Sequence, residues 1–203
     1  MTARAPVYIV DDDEAVRQGL GALLRAKGFA VEAFASADAF LNGVKAQVSG
    51  CALVDIRLPR MSGLELQREM KRRGMRLPVI IITGHGDVPV AVAALKAGAV
   101  DFLEKPFDSL AILAAIDEAL RQAASDTERG LDRETLAQRV ERLSPREREV
   151  MDLVVEGQPN KAIAHRLKIA LRTVEIHRAR VMEKTGARNL SELVRMALRL
   201  NGG

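Results

Sequence analysis

Five short, β-rich apolar runs alternate with amphipathic helical stretches through the first 123 residues, and few architectures accept that order. The runs are VYIV (7–10), VEAF (31–34), CALVDI (51–56), PVIIIT (78–83) and VDFL (100–103). Strand follows strand at about 20 to 25 residues, which leaves room for a helix and suits the right-handed crossovers that parallel strands need. Between the runs, Glu14–Lys27 sets Val16, Leu20, Leu23 and Leu24 on one helical face. Further helices are expected over Ala37–Ala46, Gly63–Arg73, Val88–Ala97 and Ser109–Ala123. Residues 1–123 therefore predict an α/β domain, a five-stranded doubly wound parallel sheet. Ligands of such sheets bind beyond the carboxyl ends of the strands.

The pattern then changes. Residues 124–143, ASDTERGLDRETLAQRVERL, are polar and charged, with sparse apolar positions at Leu131, Leu136, Val140 and Leu143. They predict a largely helical linker, weakened at Gly130. From Ser144 onward every apolar repeat has helical period, so residues 144–203 predict a small all-α domain. Ser144, Pro145 and Glu147 provide a cap, a proline at the first helical position and a capping-box acid. Gly157 ends that helix. Asn160–Leu167 and Thr173–Thr185 follow, separated by the tight turn KIAL, and Ser191–Leu200 comes last. Two short helices joined by such a turn fit a helix-turn-helix, whose second helix enters the major groove of DNA. Leu193, Val194 and Ala197 of the last helix suit either a dimer seam or inward packing.

Charge supports that division. Residues 1–125 hold 15 Lys+Arg against 15 Asp+Glu, whereas Asn160 to the end holds 10 against 3. A neutral first part with a basic last part points the tail toward a polyanion, with a solvated basic face as the plainer alternative. No apolar stretch approaches the roughly 20 residues of a membrane span, and no secretory leader pattern is visible, so a cytoplasmic location is expected. The single Cys51 allows no intrachain disulfide and reads as packing.

The strand ends carry the chemistry. Asp11, Asp12 and Asp13 close the first run, Asp55 the third and Thr83 the fourth, while Lys105-Pro106 follows the fifth. Clustered carboxylates repel one another unless a cation joins them. A few hard oxygen ligands open to water suit Mg²⁺, which shares its remaining positions with a phosphate. Asp13 suits the first turn of the following helix, and all three aspartates could instead merely cap it.

The set VDDD, VDIRLPRMSG, ITGHGD and DFLEKPF strongly resembles the receiver domain of two-component response regulators, which is flavodoxin-like, over about residues 5–124. The resemblance implies that Asp55 is the phosphoacceptor. It implies Mg²⁺ on Asp11, Asp12, Asp55 and the backbone carbonyl of Arg57. Thr83 and Lys105 would meet phosphoryl oxygens, the Lys105-Pro106 peptide would be cis, and Phe102 would be the switch aromatic. Gly84 would leave the phosphoryl site open, while Arg57 and His85 stand where hydrolysis is tuned. An ordinary loop role for His85 stays open.

LSPREREV, NKAIAHRL, RTVEIHRARVMEKTGA and LSELVRMAL strongly resemble the LuxR/GerE-type helix-turn-helix. The whole order is similar to FixJ-type response regulators. By that resemblance Glu175, Ile176 and Ala179 would face base edges, a glutamate accepting from cytosine and an isoleucine touching a thymine methyl. Thr173 lies beside them near the helix start, and Lys161, Arg172, Arg178 and Lys184 would neighbour phosphates. Val174, Val181 and Met182 read as core. Pro159 and Ala170 replace the serines often found before the two helices, so capping would fall to Asn160 or Thr173.

The implied partners are a sensor histidine kinase, double-stranded DNA and a second copy of the chain after phosphorylation. RNA polymerase is a further candidate, and no membrane is expected. A Mg²⁺-dependent phosphohydrolase is the alternative from another class, but such enzymes need a second acid near the nucleophile, and Ile56-Arg57 follows Asp55. A constitutive DNA-binding protein with an unreactive first domain is a third reading.

Overall fold

A computed structural model describes residues 4–84, 88–124 and 132–201. The described residues divide into two compact units, residues 4–84 with 97–124 and residues 88–96 with 132–201.

The first unit is built on β1 (Arg4–Val10), β2 (Phe29–Phe34), β3 (Cys51–Asp55), β4 (Val79–Thr83) and β5 (Asp101–Glu104). All pairings are parallel, in the order β2-β1-β3-β4-β5. Every residue of the central strands β3 and β4 is buried, which explains their unbroken apolar sequence: helices cover a parallel sheet on both faces. β1 begins three residues before the expected Val7, and its register shifts between Arg4 and Val7, around Pro6, which has no N–H for the ladder. The strand order reverses between β1 and β3, and that places the crevice at their carboxyl ends.

Helices α1 (Glu14–Ala26), α2 (Ala37–Gly43), α3 (Gly63–Arg72) and α5 (Ser109–Ala124) belong to this unit, while α4 (Val88–Lys96) groups with the second. α1 and α5 supply Leu20, Leu24, Ile112 and Ile116 to a core with Val7, Ile9, Leu53, Ile80 and Ile82. Alternate residues of β1 turn the other way: the Tyr8 ring meets Phe40 of α2 edge-on at 6.1 Å, and Phe40 meets Phe34 at 5.5 Å. α2 stops at Gly43, short of the expected Ala46.

The second unit adds α6 (Asp132–Glu141), α7 (Pro145–Val155), α8 (Asn160–Leu167), α9 (Leu171–Thr185) and α10 (Leu190–Asn201). The segment expected to be a linker is partly core. Leu136, Val140 and Leu143 recur at helical spacing and are buried with Val150, Val154 and Ile163. Leu131 and Gly130 lie outside the described residues. Ser144 and Glu147 form the expected capping box, with Pro145 at the first helical position. Leu193 and Ala197 pack into the same core, and so do Val174 and Val181. Lys168, at φ 53, ends α8 and begins the turn into α9.

Candidate functional site

β1, β3 and β5 deliver three side chains to one place. Lys105 Nζ donates to Asp11 Oδ2 at 2.6 Å and to Asp55 Oδ1 at 2.7 Å. The two acids are 1% and 8% exposed and the lysine 22%, so water screens the trio little. The other oxygens of the acids are occupied locally. Asp11 Oδ1 accepts from the backbone N–H of Asp13, and Asp55 Oδ2 accepts from that of Arg57 at 2.6 Å. Burial pushes the Asp11 carboxyl upward more than its bonds to Lys105 and Asp13 pull it down, and the neighbouring Asp55 adds to the rise. Burial also works to discharge Lys105, but its two carboxylate bonds outweigh that and hold the ammonium's pKa above its ordinary value.

Asp12 is exposed. Adjacent residues of an extended segment project to opposite sides, so burying Asp11 turns Asp12 outward. Two of the three expected acids are gathered around Lys105; among the described residues no group of three His, Cys, Asp or Glu side chains is poised for a metal. Asp13 is the N-cap of α1, accepting from the N–H groups of Ala15 and Val16.

The remaining expected residues border this centre. Thr83 ends β4 fully buried, and its carbonyl accepts from the Lys105 N–H at 2.6 Å. Phe102 is half-buried in β5, in register with Ile81. The Lys105-Pro106 peptide is cis. A side chain at Gly84 would meet open space. His85 lies outside the described residues.

Two contributors escape sequence reasoning. Arg17 Nη1 donates to the carbonyls of Asp11 and Asp12 at 2.7 and 2.8 Å, clamping the acidic loop from α1. Its position six residues past Asp11, on the helix that the loop opens, is the signal that could have disclosed it. Gly63 brings the start of α3 against β3: a Cβ there would collide with the Asp55 carbonyl oxygen. Among the described residues, the donors around Asp11 and Asp55 are carboxylate and carbonyl oxygens with no thiolate or imidazole, a set that fits a small hard cation such as Mg²⁺.

In the second unit, Arg172, Glu175, Ile176 and Ala179 of α9 are exposed, as is Lys161 of α8. Arg172 and Glu175 form a surface ion pair at 3.1 Å, weakly held and easily exchanged for another partner. Ile176 and Leu171 are large apolar side chains left 43% and 40% exposed. Thr173 is half-buried. The other two expected contacts are engaged inside the unit. Lys184 Nζ donates to Glu147 Oε2 at 2.6 Å, and Arg178 donates to Asn160 Oδ1. Neither α8 nor α9 has a side-chain cap: Pro159 and Ala170 hold those positions, and neither Asn160 nor Thr173 takes the role.

Known proteins are similar along the same division. Residues 7–117 match the response regulator receiver domain, and residues 141–197 match the bacterial regulatory proteins of the luxR family. The chain is 48% identical to the transcriptional regulatory protein FixJ of Azorhizobium caulinodans, over 98% of this chain and 94% of that one. It is 49% identical to FixJ of Rhizobium meliloti, over 95% and 94%. Among solved structures, full-length FixJ from B. japonicum superposes with a TM-score of 0.58 at 45% identity, with all of both chains covered. The response regulator StyR follows at 0.57 and 42%, covering 95% of this chain and 98% of that one. With receiver and LuxR-type domains in that order and similarity along nearly the whole length, the chain belongs to the FixJ-like response regulators, phosphorylation-dependent regulators of transcription that join a receiver to a DNA-binding domain.

Proposed function

We propose that Asp55 accepts a phosphoryl group from the phosphohistidine of a sensor kinase and that the modified chain dimerises and binds a two-fold DNA site. The observation that carries this is the ammonium of Lys105 held between Asp11 and Asp55 at 2.6 and 2.7 Å, from strands far apart in sequence. An Asp55 carboxylate oxygen attacks phosphorus, the bond from phosphorus to the donor nitrogen breaks, and the product is an acyl phosphate. Phosphoryl transfer passes through a loose transition state, so positioning and charge neutralisation do most of the work. Asp11, Asp12, Asp55 and the Arg57 carbonyl would hold Mg²⁺, which when bound neutralises phosphoryl oxygens. Lys105 keeps its proton and pairs with another of those oxygens. The Thr83 hydroxyl donates to a third.

The acyl phosphate carries close to two negative charges where one carboxylate stood. Thr83 moves toward it, Phe102 turns into the space released, and the face of β5 and α5 is reshaped for a second copy. Phe102 has no hydroxyl, so packing alone holds its inward state. The paired second units then dock α9 in successive major grooves, with half-sites about one helical turn apart. Glu175, Ile176 and Ala179 face bases with Thr173 beside them, and Lys161 and Arg172 meet phosphates. Slow self-dephosphorylation, tuned by Arg57 and His85, resets the switch. These events belong to the cytoplasm, with RNA polymerase as a candidate downstream partner. Among the described residues no helix is long and apolar enough to cross a membrane.

The test is incubation with a small phosphodonor and Mg²⁺. Intact-mass measurement should show one added phosphoryl group on the wild type and none on Asp55→Asn, and duplex affinity should rise only for the wild type. Labelling of Asp55→Asn to the same extent would refute the assignment.

A further inference from the structure

Arg178 lies on the helix expected to read DNA, yet it faces inward. It is half-buried and lines a cavity of about 60 Å³ with Val150, Met151, Val154, Met182 and Leu193. Burial opposes its charge and lowers its pKa from the ordinary arginine value. A guanidinium nonetheless stays protonated in proteins, so an inward arginine needs an acceptor. Its Nη1 donates to Oδ1 of Asn160, the first residue of α8.

That bond crosses between two helices that lack another polar fixture at their starts. Pro159 and Ala170 precede α8 and α9 without a side-chain cap on either. Asn160, which could have answered an orphan N–H of α8, has its carbonyl oxygen turned to α9 instead. By contrast, Lys161 and Arg172 are exposed, as a phosphate ligand must be.

We propose that Arg178 and Asn160 form a strut that sets the angle between α8 and α9, so that Arg178 governs DNA affinity as a positioning residue without touching a phosphate. The proposal rests on α9 being the helix that enters the groove. A phosphate ligand releases counterions, and each such contact steepens the salt dependence of binding by about 0.9 in log K against log salt. A strut affects affinity and leaves that slope alone.

The experiment uses the full-length phosphorylated chain and a duplex that the wild type selects from random-sequence DNA, with affinity measured across a range of KCl concentrations. Arg178→Ala and Asn160→Ala should each weaken binding about tenfold at fixed salt. The double variant should be no weaker than the worse single one, and all three should keep the wild-type slope. Lys161→Ala, the phosphate reference, should lose about 0.9 of slope. Asn160→Ala is the more telling variant, because it leaves the Arg178 charge in place on a half-exposed position. If Arg178 touched phosphate, freeing it would leave binding unchanged or tighter. A slope loss in Arg178→Ala, or wild-type affinity in either single variant, overturns the strut. Failure of the wild type itself to select any duplex removes the DNA-binding reading, and the strut with it.

Discussion

Lys105 spends its charge on two buried acids and Arg17 spends its own on two carbonyls, so much of the acidic loop's order depends on a pair of cations. Arg17→Ala leaves the carbonyls of Asp11 and Asp12 without that donor. The expected outcome is a receiver weakened by about 1 kcal/mol in denaturant unfolding, together with weaker Mg²⁺ binding by direct titration. Loss of a nearby positive charge alone would tighten the cation instead, so the sign separates clamp from field. Glu147 offers a pH test. The Lys184 ammonium and the Ser144 N–H hold its carboxyl down at about 2, against an ordinary value of 4.5. A depressed folded-state value stabilises above the unfolded value and is lost as pH falls through the folded one. The wild type should therefore lose stability between about pH 4.5 and 2 more steeply than Glu147→Gln, as read by thermal melts at stepped pH.

At the scale of elements, close approach and capping decide the detail. Gly63 lets α3 start against the end of β3, and Gly63→Ala would force the Asp55 backbone or the helix to move. The expected cost is about 1–3 kcal/mol, with slower phosphoryl acceptance in the same variant. Ala170, by contrast, invites repair. Its φ of −65° and ψ of 148° already suit a capping residue, so Ala170→Ser should stabilise the second unit by about 0.5–2 kcal/mol, measured as a shift of the urea midpoint. The elements themselves were legible because their cause is local. β3 and β4 are buried throughout and read as continuous apolar runs, and Ser144-Pro145-Glu147 encodes its helix start outright. Errors fell where no local signal exists. α9 begins at Leu171 instead of Thr173, because the missing serine removed the usual marker. Arg178 and Lys184 were expected beside phosphates, since helical period alone does not tell an outward cation from one drawn inward by a partner on another helix. The differing exposure of Asp11 and Asp12 was not legible either: three adjacent acids look alike in sequence, and only the burial of Asp11 separates them.

For the molecule as a whole, the single thiol is a reporter. Cys51 is wholly buried in β3, and burial, with a smaller push from Asp117, raises its pKa to about 12. Alkylating reagents at neutral pH should leave it untouched in the native chain and label it at the rate of receiver unfolding. Appreciable labelling without denaturant would mean that β3 opens on its own. The α/β order was legible across the whole first unit, and the helical character across the second. That residues 136–143 help to build the second unit's core was not, because their few apolar positions gain meaning only against partners on other helices. The bridge between Asp11 and Asp55 also has a temporal consequence. A ribosome releases both aspartates long before it reaches residue 105, so the nascent sheet must carry two mutually repelling anions until its last strand emerges. A chain stalled or clipped after β4 has every piece of the acidic half and lacks the ammonium that bridges it, and such fragments should remain open to proteases that the finished domain resists.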